Sequence, residues 1–384
     1  MSLYINFYAL QNVPPSNINR DDTGSPKTAI YGGSLRSRVS SQAQKRAIRR
    51  YFHDHFSDAH LGHRTKLAVE LIADRIKEKK PEMAENAEAW AETVLKATGV
   101  KTVSSSRKGE KQGSIATQYL IFIAQTEINE LADLAIKWAE EGKNSLDAAM
   151  KKEVKAVFHG SQAIDIALFG RMLADAPDLG TDASAQVAHA ISIDAVSQDF
   201  DFYTAVDDEA SQDNAGAGMI GTIAFTSSTL YRYANVNISA LEEQIGDTAA
   251  TTQAIAAFTE AFFRSMPTGK QNSFANRTLP AVCLVTIRTD QPINLVDAFE
   301  KPVTPTKNES TTERAAHLLG VREQQIDSAY GATPSAAYSV IVGEPIDELN
   351  DVSENVTFPT LVENVKQTVQ KLIDDKGQDE KAEN

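Results

Sequence analysis

A single cysteine, Cys283, stands in 384 residues, which removes an internal disulfide framework and any cysteine-built zinc site. It lies in the apolar run AVCLVTI, where a free thiol is expected to be a buried core residue. No apolar run reaches the roughly eighteen residues of a membrane span. The opening MSLYINFYAL has neither a basic n-region nor a small-residue cleavage site, so we expect no signal peptide, no membrane partner and a cytoplasmic protein. Also missing are zinc-ligand spacing, a phosphate-binding loop ending in Gly-Lys-Ser, a nucleophile elbow and any internal repeat. No cofactor is therefore expected. Positive charge is scarce overall, with 38 basic residues against 52 acidic ones and a net charge of −14.

What positive charge there is concentrates early. The first fifty residues carry +6 and the remainder −20. The stretch NRDDTGSPKTAIYGGSLRSRVSSQAQKRAIRR (19–50) holds Arg20, Lys27, Arg36, Arg38, Lys45, Arg46, Arg49 and Arg50. An acidic chain with one basic segment wants negative charge at one place and repels it elsewhere. Tyr31-Gly32-Gly33 has no side chain at two positions, so backbone amides there can approach a phosphate. Arg36 and Arg38 follow at strand spacing on one face. Ser40 and Ser41 offer helix N-caps, and Ser41-x-x-Gln44 fits a capping box. In the helix that follows, Ile48, Tyr51, Phe52 and His55 form an apolar stripe, while Lys45 and Arg49 share another face. A helix N-terminus flanked by such cations suits a phosphate.

The pattern predicts a strand over 3–9, the helix 41–56, and helices over 64–79, 82–98, 114–141 and 145–158. Strand character returns at 162–168, with an extended segment over 185–196. Residues 197–222 read as a projecting hairpin, acidic and glycine-rich. Strands over 222–238, 281–287 and 335–343 and helices over 251–265 and 358–373 complete the chain. The expected class is α+β: a split βαβ plan, RRM-like (ferredoxin-like), with insertions. Its parts are a palm of 1–60 with 159–196 and 223–290, a helical insertion at 61–158, the hairpin 197–222, C-terminal additions 291–373 and a disordered tail 374–384.

Enzymatic signals are weak. His53, His55, His60 and His63 have no accompanying carboxylate constellation and read as surface or packing residues. Asp21-Asp22 beside Arg20 has the makings of a metal or base site near phosphate, but fits a loop brace better. Asp207-Asp208 reads the same way. Binding signals are stronger. Tyr231, Tyr233 and Asn235 face one way on a strand, as base-stacking aromatics do, or pack under inserted helices. Gly269-Lys270-Gln271-Asn272 supplies a cation and two amides, and Gly170-Arg171-Met172 sets a cation beside a long apolar side chain.

Taken in order, NRDD (19–22), Lys27-x-Ala29-Ile30-Tyr31-Gly32-Gly33, Arg38-Val39-Ser40-Ser41-Gln42, Lys45-Arg46-Ala47, DIALFGRM (165–172), AHAIS (188–192), FYTAVDD (202–208), YRYANVN (231–237), GKQ (269–271) and DAFEK (297–301) carry a resemblance. The chain resembles the CasC family, the backbone subunit of the type I-E CRISPR Cascade complex. That resemblance implies a right-hand shape of RRM-like palm, helical fingers and β-hairpin thumb, with several copies polymerised along one crRNA. The partners it implies are crRNA, target DNA through the guide, further copies of the chain, and the large, small, crRNA-end-capping and repeat-processing subunits. By motif match, Arg20, Lys27, Ser40, Gln42 and Lys45 are the implied RNA contacts. Arg38, Arg46, Arg49, Arg171, Lys270 and Gln271 are added as RNA-binding candidates. Met172 stands at the position of an apolar wedge against a displaced base, with Ile220 as its thumb counterpart. Arg49 stands where the family commonly has lysine, and Ser34-Leu35 where it tends to place cations.

Both lines of reasoning imply a non-catalytic RNA-binding subunit that holds phosphates and leaves sequence reading to the guide. Two alternatives remain open at this point. One is a metal-dependent RNA-cleaving backbone subunit using Asp21 or Asp22. The other is a generic single-strand RNA-binding protein acting alone.

Overall fold

The computed structural model describes residues 2–57, 60–104, 115–143, 145–205 and 219–382. Its strands are β1 (Tyr4–Ser16), β2 (Thr28–Tyr31), β3 (Ser34–Val39), β4 (Gly62–Thr65), β5 (Thr102–Ser104), β6 (Ile115–Thr117), β7 (Ile121–Ala124), β8 (Ala185–Val187), β9 (Ala190–Ser192), β10 (Asp199–Ala205), β11 (Met219–Asn237), β12 (Val282–Arg288), β13 (Ala336–Ile341) and β14 (Glu354–Asn355). Its helices are α1 (Ser41–His55), α2 (Ala68–Lys79), α3 (Ala87–Ala97), α4 (Gln125–Glu140), α5 (Ala148–Phe158), α6 (Ile164–Phe169), α7 (Ile238–Ile245), α8 (Thr248–Arg264), α9 (Gln271–Phe274), α10 (Thr311–Tyr330), α11 (Asp347–Asn350) and α12 (Phe358–Ala382). Two compact units emerge. The first comprises Met1–Tyr51, Gln186–Ile238 and Thr252–Asn384, and the second Phe52–Ala185 and Ser239–Thr251.

The first unit is built on a large sheet ordered β14-β13-β12-β1-β11-β9-β3-β2, with β10 and β8 also paired to β11. Alternation along β1 sorts its side chains to two faces. On one, Phe7 packs on Phe258 and Phe262 of α8, with ring centroids 5.2 and 5.8 Å away. On the other, Tyr8, Tyr231, Tyr233 and Leu284 are buried with Leu295, Phe299 and the α10 residues Ala315, Ala316 and Leu319. The two tyrosines considered for base stacking therefore lie inside, under a C-terminal helix. Their hydroxyls are committed as well, Tyr231 donating to Asn294 at 2.8 Å and Tyr233 to Asn6 at 2.8 Å. Cys283 is buried as expected, its thiol pushed up to about 12 by desolvation.

The second unit is a helical body around α2, α3, α4 and α5, with Trp138 in its core. It is larger than the expected 61–158 insertion, because residues 159–185 cluster with it. Leu173, Ala176 and Leu179 complete its core, and Ile166 of α6 buries against Phe122 and Ala124.

Several elements differ from their sequence patterns. Residues 162–168 were expected as a strand, yet Ile164–Phe169 is a helix. Asp165, Ile166, Ala167 and Leu168 are all buried, so period-two alternation carried no information about faces. The helix expected over 114–141 is two short strands followed by α4. Ile121–Ala124, buried at every position, pairs with β4, and the Glu127 carboxylate accepts the Ala124 amide at 2.8 Å to start α4. The expected disordered tail is helical as far as Ala382. Leu361, Val365, Val369 and Ile373 bury one stripe of α12, and each residue added to a packed helix costs little. The tip of the 197–222 hairpin, 206–218 with Asp207-Asp208, lies outside the described residues.

The Gly32-Gly33 pair, considered above as a phosphate approach, is the two-residue turn of the β2–β3 hairpin. Both residues have positive φ (56° and 73°), as such turns require. A Cβ on Gly32 would meet the Glu300 carbonyl oxygen at 1.7 Å, whereas one on Gly33 would meet nothing within 4 Å. We therefore expect Gly33→Ala to cost about 1–2 kcal/mol from backbone strain alone, and Gly32→Ala clearly more. Urea unfolding of the two variants checks this, and equal costs would contradict the close approach.

Candidate nucleic-acid interface

The basic segment is stitched to its surroundings by short polar side chains. Asn17 donates to the carbonyls of Gly24 and Ala224, both at 2.9 Å, tying the 17–27 loop to the base of the β10–β11 hairpin. Gln198 adds a bond to the Pro26 carbonyl at 3.3 Å. The Lys27 amide donates to Asn19 O at 2.9 Å, and Asn19 Oδ1 accepts the Ser40 amide at 2.8 Å. Loop, β3 and the start of α1 thus form one braced surface.

Ser40, not Ser41, caps α1. Its Oγ accepts the Ala43 amide at 3.3 Å, and the expected Ser41–Gln44 box is not formed. Gln44 is instead buried. On α1, Ile48, Tyr51 and Phe52 are buried as the stripe predicts, while His55 is exposed. Gln42 and Arg46 are exposed, and Lys45 and Arg49 are half-buried. The Lys45 ammonium is held below the usual lysine range, chiefly by partial burial and then by the Arg49 charge beside it. A bound anion there would relieve both effects, with the helix dipole adding to it.

Asp21 is a loop hub. Its Oδ1 accepts the Thr23 hydroxyl at 2.7 Å, the Thr23 amide at 2.9 Å and the Ser25 amide at 3.0 Å. These bonds, the Thr23 hydroxyl foremost, lower its pKa below the usual carboxylate value. Arg20 and Asp22 beside it are exposed. Among the described residues, no group of three or more His, Cys, Asp or Glu is placed to hold a metal ion.

The two strand arginines separate completely. Arg36 is fully buried. Its guanidinium donates to the carbonyls of Ser192 (2.9 Å), Ile193 (2.8 Å), Phe299 (2.9 Å) and Glu300 (3.0 Å). Arg38 is half-buried, donating to Thr28 O at 3.2 Å and to His189 Nδ1 at 3.1 Å. His189 is held below the usual histidine value by desolvation, then by Arg38 and Lys27, and since the Arg38 guanidinium can only donate, Nδ1 is the acceptor of that bond. Sequence reasoning quoted AHAIS without singling out this histidine; only the β3–β9 pairing, with Arg38 opposite Ile191, brings it beside Arg38.

Gly269 packs so tightly on the Ile18 carbonyl that a Cβ would lie 2.3 Å from its oxygen, which brings the Lys270–Gln271 turn onto the same loop. Lys270 has φ 51° and Ala275 φ 46°, so two non-glycine residues in the left-handed region flank the single turn of α9. Such strain persists only where the surroundings over-determine it. Arg20, Lys27, Arg38, Ser40, Lys270 and Gln271 are thereby gathered around one loop, with Gln42, Lys45, Arg46 and Arg49 on the helix it braces.

On the hairpin, β10 pairs with β11 in the register Phe200↔Ala224, Phe202↔Thr222 and Thr204↔Ile220. That register sets Phe200, Phe202 and Ile220 on one face, all exposed. The two phenylalanines were missed from sequence; alternation with Asp199, Asp201 and Tyr203 was their signal. In the second unit, Met172 is exposed by 84%, as a wedge would need to be. Arg171, expected at an RNA surface, is buried with its side chain 0% exposed and paired to Glu127 Oε1 at 2.5 Å. It is a structural cation, because its guanidinium also bonds carbonyls inside the unit.

Fold and site define an α+β protein with one basic, amide-rich loop-and-helix surface. The chain belongs to the CT1975-like protein family, whose model matches residues 5–365. It is similar to a chain of a solved "CRISPR RNA-guided surveillance complex, pre-nicking", at 31% identity and TM-score 0.80, covering 95% of this chain and 100% of that one. A second, from a "CRISPR RNA-guided surveillance complex", is 28% identical with TM-score 0.71, covering 95% of this chain and 99% of that one. No curated protein matches. Among the described residues, no helix is long and apolar enough to cross a membrane.

The contrast between the strand arginines is testable. Arg36→Ala removes the guanidinium donor from four carbonyls, of which Ile193 O keeps the Val303 amide, and is expected to cost about 3 kcal/mol or more. Arg38→Ala, at a partly solvated position, is expected to cost less than about 1 kcal/mol. Chemical denaturation of both variants measures the difference.

Proposed function

We propose that this chain is the non-catalytic, crRNA-binding backbone subunit of a CRISPR RNA-guided surveillance complex of the Cascade type. The observation that carries it is the end-to-end match to surveillance-complex chains, with TM-score 0.80 over 95% of the sequence. The CasC resemblance narrows the reading to type I-E, with cytoplasmic copies aligned along one guide that pairs with target DNA. The large, small, crRNA-end-capping and repeat-processing subunits are the further partners in this reading.

The sheet supports an RRM-like palm: β1, α1, β9, β11, α8 and β12 follow a βαββαβ order, with β12-β1-β11-β9 adjacent and antiparallel. RNA would be held from the braced loop and α1, since the aromatic sheet face is covered by α10. Arg20, Lys27, Arg38, Gln42, Lys45, Arg46, Arg49, Lys270 and Gln271 supply charge and amides for the backbone. Ser40 fixes the helix end. Met172 and Ile220 serve as apolar wedges that unstack a base. The three bonds into Asp21 Oδ1 favour a bracing role over catalysis, so complementary RNA incubated with the assembled protein and magnesium should stay intact.

Phosphate binding is sequence-tolerant and salt-dependent. Lys45→Ala with Arg49→Ala should therefore weaken binding by a similar factor for two unrelated guides. It should also lower the salt slope by about 1.4, at roughly 0.7 per lost single-strand contact. A titration over several salt concentrations decides it. An unchanged slope, or a loss confined to one guide, contradicts the proposed backbone contact. Sequencing of co-purified RNA tests the wider reading, for which repeat-spacer transcripts are the expected result.

A further inference from the structure

Met172 and Arg171 are chain neighbours with opposite fates. Met172 is the most exposed large apolar residue described, at 84%, whereas the Arg171 side chain is 0% exposed. A methionine has three rotatable side-chain bonds and no stiffness of its own. For it to pry apart stacked bases at a fixed place, its backbone must be held by something else.

The backbone is held from three directions. Helix α6 ends at Gly170, with φ 76°, and a Cβ there would lie 2.9 Å from Thr181 O and 3.1 Å from Ala183 N. Arg171 and Thr181 then exchange both backbone hydrogen bonds, each 2.9 Å long. Finally, the Arg171 guanidinium reaches inward to Glu127 Oε1 at 2.5 Å, Leu179 O at 3.1 Å, Phe158 O at 3.2 Å and Gln162 Oε1 at 3.2 Å. It also lies 4.9 Å from the centre of the Phe158 ring. Glu127 is itself anchored, its other oxygen accepting the Ala124 amide at 2.8 Å at the start of α4. Burial pushes the Glu127 carboxyl up, and Arg171 is the main influence opposing that.

We infer that Arg171, locked to Glu127, is a positioning residue that presents Met172 rigidly at the surface of the second unit, so that the wedge works as a fixed post. This rests on the reading of Met172 as a base-displacing wedge. A planar fork bonded to carbonyls from α5 and the 177–179 turn and to a carboxylate from α4 fixes both position and orientation of the segment. A purely packing role would need the volume but not the fork.

The test uses the full chain at saturating concentration on guide RNAs carrying 2-aminopurine at one position per molecule, scanned along the guide. Unstacked positions fluoresce brightly. Wild type should give a regular set of bright positions, and Met172→Ala should dim them. Arg171→Lys, which keeps charge but not the fork, and Glu127→Gln should each dim the same positions by roughly half. Their salt slope should stay at the wild-type value, because the phosphate contacts lie elsewhere. Met172→Ala combined with Arg171→Lys should dim no further than Met172→Ala alone, as expected of residues acting through one another. Full brightness in both Arg171→Lys and Glu127→Gln, with loss in Met172→Ala, would overturn the positioning role and leave the wedge standing. Full brightness in Met172→Ala would overturn the wedge reading, and this inference with it. If Arg171→Lys does not fold, Glu127→Gln alone decides by the same readout.

Discussion

The Arg36 guanidinium is the contact on which the candidate interface depends. Burying a cation is expensive unless its donors are matched, and here four carbonyls from two separate chain segments match the two Nη groups, leaving only Nε without a partner. Two of those carbonyls belong to Ser192 and Ile193, at and just after the end of β9. The other two belong to Phe299 and Glu300. Arg36 therefore fixes β3 against both its neighbouring strand and the C-terminal portion of the first unit. Once β3 is fixed, Arg38 on the same face lies less deeply set, next to His189, and Ser40 is delivered to cap α1. Gly32 closes the same arrangement from its far end by lying against Glu300.

Buried arginines recur through the molecule with one logic. Arg232 donates to Gln11 and to carbonyls of Phe262 and Ser265 at the end of α8, where a cation also complements the helix dipole. Arg288 pairs with Glu323 and Asp327 and fastens α10 over the sheet. Arg171 does the same for the segment that carries Met172. Arginine suits all four places because its charge survives burial and its fork satisfies several acceptors at once. The basic residues that remain at the surface of the 19–50 segment are then fewer than the sequence count implies, and correspondingly more concentrated around the 17–27 loop and α1.

This division explains what could be read in advance. Long periodic elements were legible: β1, the buried stripe of α1, β11, α8, β12 and the pairing of β10 with β11 all follow from patterns that survive in the fold. Short apolar runs were not. The central four residues of IDIALF and all of IFIA are buried, so neither carries a face, and tertiary pairing alone made one a helix and the other a strand. Helix α10 was missed although Ser310-x-x-Glu313 forms a capping box, with Ser310 Oγ accepting the Glu313 amide at 3.2 Å. Its polar exposed face masked the narrow stripe of Ala315, Ala316 and Leu319. At the site, charge and capping residues were visible, but which arginines point inward was not. Arg36 and Arg171 look like surface cations until the carbonyls around them are known.

The position of α10 bears directly on how RNA is held in the proposed function. An open four-stranded sheet offers aromatics to stack bases, and stacking tolerates any base because each has a π-face. Here that face is closed by Leu295, Phe299 and α10, with Tyr231 and Tyr233 inside. What faces solvent instead is a loop stiffened by Asn17, Asn19 and Asp21 and a helix end stiffened by Ser40. Both present charge and amides, the groups that recognise a phosphate-sugar backbone. In that reading, holding the backbone leaves base edges available for pairing, and a wedge at Met172 would act by shape rather than by reading sequence. A subunit built this way needs precision in where its surface groups stand, not in which bases they meet. The energy the fold commits to buried arginines is spent on that precision.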